Sequence, residues 1–438
     1  MNHLKTVFTT CGDALIMHRL PPNYPGQKQI RDYLQTGDFR IVNLETTITD
    51  KNCYPSTFSG GTWLTAEASV LESLENFGFN LFGIANNHML DYSYPGLFQT
   101  LSTLRERKLA FTGAGESLEQ ASKAAITESS AGRSALIALT STFDDSARAG
   151  VQGPYLPARP GINPMRFEQR YLLNKEHMEQ LKKIADVCDV NVKNKRRLKT
   201  GYKLQEDDSI FEFKDMKFCL NDQEGKITIP SAVDLDRTLR AIRELKREVE
   251  HVVVMLHSHE MKDDNMESIE DFVKECSHAF IDAGASIVLG GGCHQLKGIE
   301  LYKGKPIFYS LGNFIYQNEF VDVLPPDFMD KYKLPYTTTA REAIAYRKSK
   351  ARNGGQQSKE NFLSVLPRII MEDDQCIGIE MMPISLGYER SRSFKAIPTP
   401  ANEADSRLIY QTLVRLSAPL GTELYMENEM IKIRMEEK

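Results

Sequence analysis

The chain contains a single tryptophan in 438 residues, and its seven cysteines include no Cys-x-x-Cys pair. An odd number of scattered thiols argues against a disulfide framework, and the missing pairs exclude a zinc ribbon. A reducing compartment fits best. No stretch of about 18 apolar residues occurs, so no membrane-spanning helix is expected. The opening residues, Met-Asn-His-Leu-Lys-Thr-Val-Phe-Thr-Thr, lack the basic-then-apolar pattern of a secretory signal. The expectation is a cytoplasmic protein without stable membrane insertion. Positive charge is also not in excess: 54 Lys and Arg stand against 59 Asp and Glu, for a net charge of −5. Nothing global therefore recruits nucleic acid or an anionic surface. The phosphate loop Gly-x-x-x-x-Gly-Lys-Ser/Thr, the Gly-x-Ser-x-Gly elbow and the dinucleotide fingerprint are all missing, which removes the commonest nucleotide-binding and serine-hydrolase classes.

What is present is an ordinary globular balance, 41% apolar and 26% charged, on a chain long enough to bury a large core. Strand-like and helix-like patterns alternate from residue 4 to 145. Residues 5–11, 40–44, 80–84 and 134–139 read as buried strands, and 66–77, 97–108 and 118–125 carry helical spacing. The unit returns with helices at 235–248 and 269–283 and strands at 252–256 and 286–289. Alternation of this kind predicts largely parallel strands with helices packed around them. After Gly290 three hairpins are expected, at 298–311, 365–382 and 423–434, with a helix at 403–416. The overall expectation is α/β, two sheets face to face with helices outside. Two segments read as insertions: residues 155–208, with a helix near 174–187 and the basic run Lys193–Lys199, and residues 319–360, read as a polar, mobile excursion. Two regions follow from this, 1–320 with its insertion and a C-terminal extension over 321–438 that completes the second sheet.

The residues that carry chemistry stand where strands end. Asp13 follows the first strand, Glu45 the second, Asn87 and His88 the third, His257 and His259 the strand at 252–256, and His294 the triple glycine at 290–292. Open α/β sheets keep their sites at carboxyl edges, so five apolar strands deliver ligands to one place. An unpaired carboxylate at such an end costs several kcal/mol, so Glu45 should face a cation. His257 and His259 share a face in strand geometry and both reach one ion. His88 serves as ligand or general acid, with Asp91 three residues on holding its tautomer. Cys293 lacks a cationic flank and reads as a packed thiol. The Lys193–Lys199 run reads as solvated charge.

Several stretches in this order resemble the CapA/PgsA family of bacterial capsule-synthesis proteins, linked with poly-γ-glutamate. They are Cys-Gly-Asp (11–13), Asn-Leu-Glu-Thr-Thr-Ile-Thr (43–49), Ala-Asn-Asn-His-Met-Leu-Asp-Tyr (85–92), Thr-Gly-Ala-Gly (112–115), Arg-Pro-Gly-Ile-Asn-Pro (159–164), His-Ser-His-Glu (257–260) and residues 297–315, ending Tyr-Ser-Leu-Gly-Asn-Phe-Ile. The resemblance covers roughly residues 5 to 320. It implies a calcineurin-like metallophosphoesterase fold, a four-layer sandwich of two mixed sheets flanked by helices. It also implies metal roles for Asp13, Glu45, Asn87, His257 and His294, joined here by His259, and an acid/base role for His88 with Asp91. Where phosphoesterases carry Gly-His-x-His, this chain has Gly291-Gly-Cys-His294, and no Asp-x-His follows strand one. One divalent ion (Ca²⁺, Mg²⁺, Mn²⁺ or Zn²⁺) is expected rather than two. The expected activity is a metal-dependent hydrolase or acid/base enzyme on an anionic peptide or polyglutamate-type substrate. The rivals are peptide Cα epimerisation, as in lasso-peptide epimerases, with His294 and Asp13 as the second base, and a non-catalytic polymer-binding role. Arg159 and Glu260 are the candidates for substrate binding.

Overall fold

The computed structural model describes residues 5–50, 52–204, 207, 209–351 and 358–435. The chain builds a mixed α/β structure on two large sheets. In the first, the path runs Leu424–Glu427, Met430–Ile433, Gln375–Ser385, Leu363–Glu372, Lys5–Leu15, Phe39–Leu44, Leu81–Gly83, Ala110–Thr112. The four strands from Lys5–Leu15 onward are mutually parallel, whereas Leu363–Glu372 runs antiparallel beside the first. The second sheet runs Ile299–Tyr302, Lys305–Phe308, Ile287–Gly292, His251–Ser258, Gly132–Thr140, Ala125–Ser129. Its middle strands are parallel and a hairpin closes each edge.

Alternation along each strand explains why the sheets stack. On His251–Ser258, Val253 and Met255 enter a core shared with Phe8, Phe39, Ile41 and Leu81 of the first sheet. Val252, Val254 and Leu256 point the other way, onto Phe272, Cys276 and Phe280 of the helix Asp271–Ala283. The outer face of the first sheet, through Val42, Leu44 and Phe82, packs on Leu71, Leu74, Leu97 and Leu101 from the helices Leu71–Phe77 and Ser93–Glu106. Strands buried on both faces read as unbroken apolar runs, which is how the sequence shows them.

One irregularity places a functional side chain. The pairing of the first two strands passes from Thr10↔Ile41 to Asp13↔Asn43, so one extra residue is accommodated between Thr10 and Asp13. A single inserted residue reverses the inside–outside alternation. Phe8 faces the second sheet, and without the bulge Asp13 would face away from it. With the bulge it faces inward beside Asn43.

Boundaries differ from the sequence reading in several places. Residues 118–125 do not form one helix: it ends at Ser122 and Ala125 opens an edge strand. The inserted lobe is a four-stranded sheet over Phe167–Leu173, Ile210–Phe213, Met216–Leu220 and Gly225–Pro230, flanked by the helix Lys175–Val187. It starts later than residue 155, because Ile162 and Met165 are core residues, and it ends later than 208. The basic run forms the exposed helix Val192–Lys199. The segment 319–360 holds the helices Pro326–Tyr332 and Ala340–Ser349, the latter with a Thr339–Glu342 capping box. Phe328, Met329, Ala343 and Ile344 are buried in the first sheet's outer core, so this segment is not the excursion its polarity implied. Residues 352–357, the least featured part of that stretch, lie outside the described residues. Among the described residues no helix is long and apolar enough to cross a membrane.

Candidate metal centre

The carboxyl ends of the parallel strands of both sheets converge on Glu45. Its side chain is wholly buried, and neither carboxylate oxygen has a hydrogen-bond partner. Around Glu45 Oε1 stand three imidazole nitrogens: His257 Nε2 at 3.5 Å, His88 Nε2 at 3.8 Å and His294 Nε2 at 4.0 Å. Burial, and then the neighbouring Asp13, Asp91 and Cys293, drive the Glu45 carboxyl well above its ordinary range. To be ionised at this place the carboxyl needs a cation.

Asp13 is the second carboxylate. Its Oδ1 accepts from Asn43 Nδ2 at 2.7 Å and its Oδ2 from the Gly292 amide at 2.7 Å. Burial pushes its pKa up, but the hydrogen bond to His257, the charges of His257 and His294 and the Asn43 bond together hold it below the usual value. Asn87 Oδ1 lies 2.8 Å from His257 Nε2, and its amide nitrogen donates to the Gly60 carbonyl at 2.9 Å. His257 Nε2 and His259 Nε2 are 3.2 Å apart, as the shared strand face requires. Burial, then the charges of His257, His294, His88 and Lys297, lowers His259 well below its ordinary value. Burial likewise leads in lowering His294 to about 4, so both imidazoles are neutral donors at neutral pH.

Two overlapping donor sets have geometry for an ion: Glu45 with His257 and His259, and Asp13 with Glu45 and His294. Glu45 belongs to both. Two orphaned carboxylate oxygens amid neutral imidazoles and an amide oxygen are a donor set that fits a divalent cation.

His88 is set apart from this group by its partner. Its Nδ1 lies 2.7 Å from Asp91 Oδ2, and Asp91 also accepts from the Gly60 and Leu64 amides at 2.9 and 2.8 Å. Asp91 is wholly buried, and burial raises its pKa although His88 and the two amides oppose that. Asp91 therefore fixes the tautomer that leaves His88 Nε2 pointing at the centre.

The missing imidazole has a physical cause. Gly292, where the first histidine of the phosphoesterase pair would fall, has φ +104° and backbone of Ser258 within 2.8–2.9 Å of any Cβ. Beside it, a Cβ on Gly291 would lie 2.5 Å from Asp13 Oδ1. At Gly292 it is the Ser258 backbone of the neighbouring strand, and at Gly291 the Asp13 carboxylate, that leaves no room for a side chain.

The structure thus brings together Asp13, Glu45, Asn87, His88, Asp91, His257, His259 and His294. It does not bring Arg159 to them: that side chain is exposed and donates from Nε to the Arg148 carbonyl at 2.8 Å. Glu260 is near but committed. Its carboxylate accepts from Ser141, from Thr142 at 2.9 Å and from Ser258 at 2.7 Å, and the Thr142 hydroxyl accepts from the His259 amide. It therefore braces the loop of His259 and is not free for substrate. Cys293 is buried, with its thiol on the Gln295 carbonyl, as a packed thiol would be.

Sequence reasoning missed four residues. Asn43 is two residues before Glu45 on a strand, hence on the same face, and that period-two signal was available. Asn313 holds His294 Nδ1 at 3.0 Å. Tyr316 lies with its ring 5.0 Å from that of His294. Lys297 is buried, near enough to lower His259 by its charge. Lys297 precedes the 298–311 hairpin and Asn313 and Tyr316 follow it, on a short strand parallel to the first, and no periodicity there marks them as site residues.

A buried site of carboxylates, amide and imidazoles at the strand ends of a mixed α/β protein defines the class as a candidate metal centre. The family follows from comparison: the model of the bacterial capsule synthesis protein PGA_cap matches residues 7–318, and the chain belongs to that family. Protein y4sH of Sinorhizobium fredii is 31% identical over 435 residues, covering 97% of this chain and 92% of its own. The capsule biosynthesis protein CapA of Bacillus anthracis is 22% identical over 316 residues, 72% of this chain and 56% of that protein. The PGA biosynthesis protein CapA of Bacillus subtilis is 24% identical over 287 residues, 66% and 55% of the two. This chain therefore spans little more than half the length of the two CapA proteins.

Proposed function

We propose that this chain is a metal-dependent enzyme with a calcineurin-like four-layer sandwich, acting on an anionic peptide or poly-γ-glutamate-type substrate. The observation that carries the reading is Glu45, a buried carboxylate with two unpartnered oxygens, facing His88, whose other nitrogen is held by Asp91. The ion would be held by Asp13, Glu45, Asn87, His257 and His294, with His259 adjoining. When bound, a divalent ion supplies Lewis acidity and orients an oxygen of the substrate. His88 Nε2 faces the same centre; Asp91 accepts the Nδ1 proton and so stabilises the imidazolium, whose Nε2 proton is the one an amine leaving group requires. Burial of the whole cluster excludes bulk water from the transfer. The CapA names of the Bacillus relatives support the polyglutamate class.

Epimerisation at Cα requires a second base opposite His88. His294 Nε2 approaches the same Glu45 oxygen as His88, but the partner of its Nδ1 is Asn313, not Asp13, so that pairing finds less support. One experiment separates the readings: turnover of γ-linked glutamate oligomers by manganese-loaded protein in deuterated water, read by mass spectrometry. Hydrolysis is expected, without deuterium at Cα in the recovered oligomer. In His88→Asn, metal content and folding should persist while the rate drops about 10²–10⁴-fold. Deuterium wash-in would establish the epimerase instead. Wild-type protein that binds the oligomer without turning it over would establish a binding factor. Unchanged turnover in His88→Asn refutes the acid/base assignment.

A further inference from the structure

The helix Ala340–Ser349 lies beyond the 7–318 family match, yet it carries a buried cation, Arg347, whose contacts lead toward the site. Arg347 is only 7% exposed, and its Nε has no hydrogen-bond partner. Its Nη1 donates to Thr62 Oγ1 at 2.7 Å, and its guanidinium lies over the Phe328 ring at 5.6 Å. Glu319, the carboxylate whose charge reaches it, is ion-paired with Lys348. A guanidinium taken out of water with a free N–H and a spoken-for counter-ion is poised for an added anion.

Two independent links tie this cation to the metal centre. The first is the loop that carries Thr62: two residues to either side, the Gly60 and Leu64 amides hold Asp91, the partner of His88. The second is Tyr316, whose ring packs on His294 and whose hydroxyl feels the charges of both Glu45 and Arg347. Arg347 is thus linked to the acid/base pair through the loop 60–64 and to His294 through Tyr316. Its planar fork matches a carboxylate in a way an ammonium does not.

We infer that Arg347 is a substrate-binding residue, which receives a carboxylate of the substrate at the edge of the metal centre and so makes the C-terminal segment part of the site. The inference rests on the proposed anionic substrate and adds which group recognises its charge. It also supplies the carboxylate clamp that Arg159, on the surface, does not provide.

The test is calorimetric titration of full-length, manganese-loaded protein with glutarate, with neutral glutaramide and with γ-glutamyl-glutamate. Wild type should bind the two acids more tightly than glutaramide. Arg347→Gln should weaken the acids by about 10- to 100-fold, the worth of a charged hydrogen bond, and leave glutaramide and manganese content unchanged. Arg347→Lys keeps the charge but loses the fork, so it should fall between the two; it also serves if the glutamine variant fails to fold. Equal acid binding in the variants, no preference of wild type for acid over amide, or no acid binding at all overturns the inference. Arg347-dependent glutarate binding without γ-glutamyl-glutamate binding would keep it and remove the polyglutamate reading. Binding of γ-glutamyl-glutamate indifferent to Arg347 would do the reverse.

Discussion

Replacing Glu45 by glutamine should change stability in opposite directions with and without metal. The side chain is fully buried, both oxygens lack partners, and Asp13 and Asp91 add to its electrostatic cost. Without an ion this arrangement is unfavourable, and a neutral amide relieves it. Where the carboxylate is ionised it carries a buried charge that glutamine lacks, so in that pH range chelated Glu45→Gln should be more stable than chelated wild type. With an ion the sign inverts. Metal at 100 times its dissociation constant stabilises the fold by about 2.7 kcal/mol. Removing one partner of a buried charge pair costs about 3–5 kcal/mol, or at least 100-fold in affinity, which brings that gain down to about 0.4 kcal/mol. The assay is thermal unfolding of both proteins in EDTA and in manganese. Wild type should gain strongly on adding metal and Glu45→Gln hardly at all, from a higher starting point. Equal destabilisation of the variant in both buffers would show Glu45 to be a structural residue and refute the reasoning.

Gly291→Ala should fold but lose metal, because the new Cβ would lie 2.5 Å from Asp13 Oδ1; elemental analysis checks this, and unchanged metal content would remove Asp13 from the ligand set. Because Gly292 lacks the imidazole of a two-metal centre, generic phosphodiesters should be poor substrates, and fast hydrolysis that disappears in His88→Ala would restore a phosphatase reading. Away from the site, burial leads in lowering His251 to about 4 from 6.5. A depressed histidine favours the folded state above its unfolded pKa, so this contribution is full above about 6.5 and is lost as pH falls toward 4, by about 3 kcal/mol. Urea unfolding across that range should show the loss in wild type and a flatter profile in His251→Gln; parallel profiles would sink the assignment.

The sequence by itself determines the alternation of strands and helices and the polar residue at each strand's end. Both are local: a buried parallel strand must be apolar along its length, and its carboxyl end is where a polar side chain can face a cleft. That is why Asp13, Glu45, Asn87, His257 and His294 are legible as one group from the sequence alone, as is the His88–Asp91 spacing. Tertiary structure decides what those residues touch. Only the stacking of two sheets puts Glu45 Oε1 within 4.0 Å of imidazoles from three different strand ends. Only the pairing register reveals the bulge that turns Asp13 inward, since a bulge is a property of two strands and not of one. The glycines at 291 and 292 read as permissive backbone; the reason for Gly291, the space taken by Asp13, comes from another sheet, and that for Gly292, the Ser258 backbone, from the neighbouring strand. The segment 319–360 departs from its sequence reading for the same cause. Many of its described polar residues face water, but the apolar ones that pin it, Phe328, Met329 and Ile344, find their partners in a core assembled from residues hundreds of positions away. Long-range packing is invisible to local pattern, and it is packing that buries Arg347 against Thr62 and Phe328.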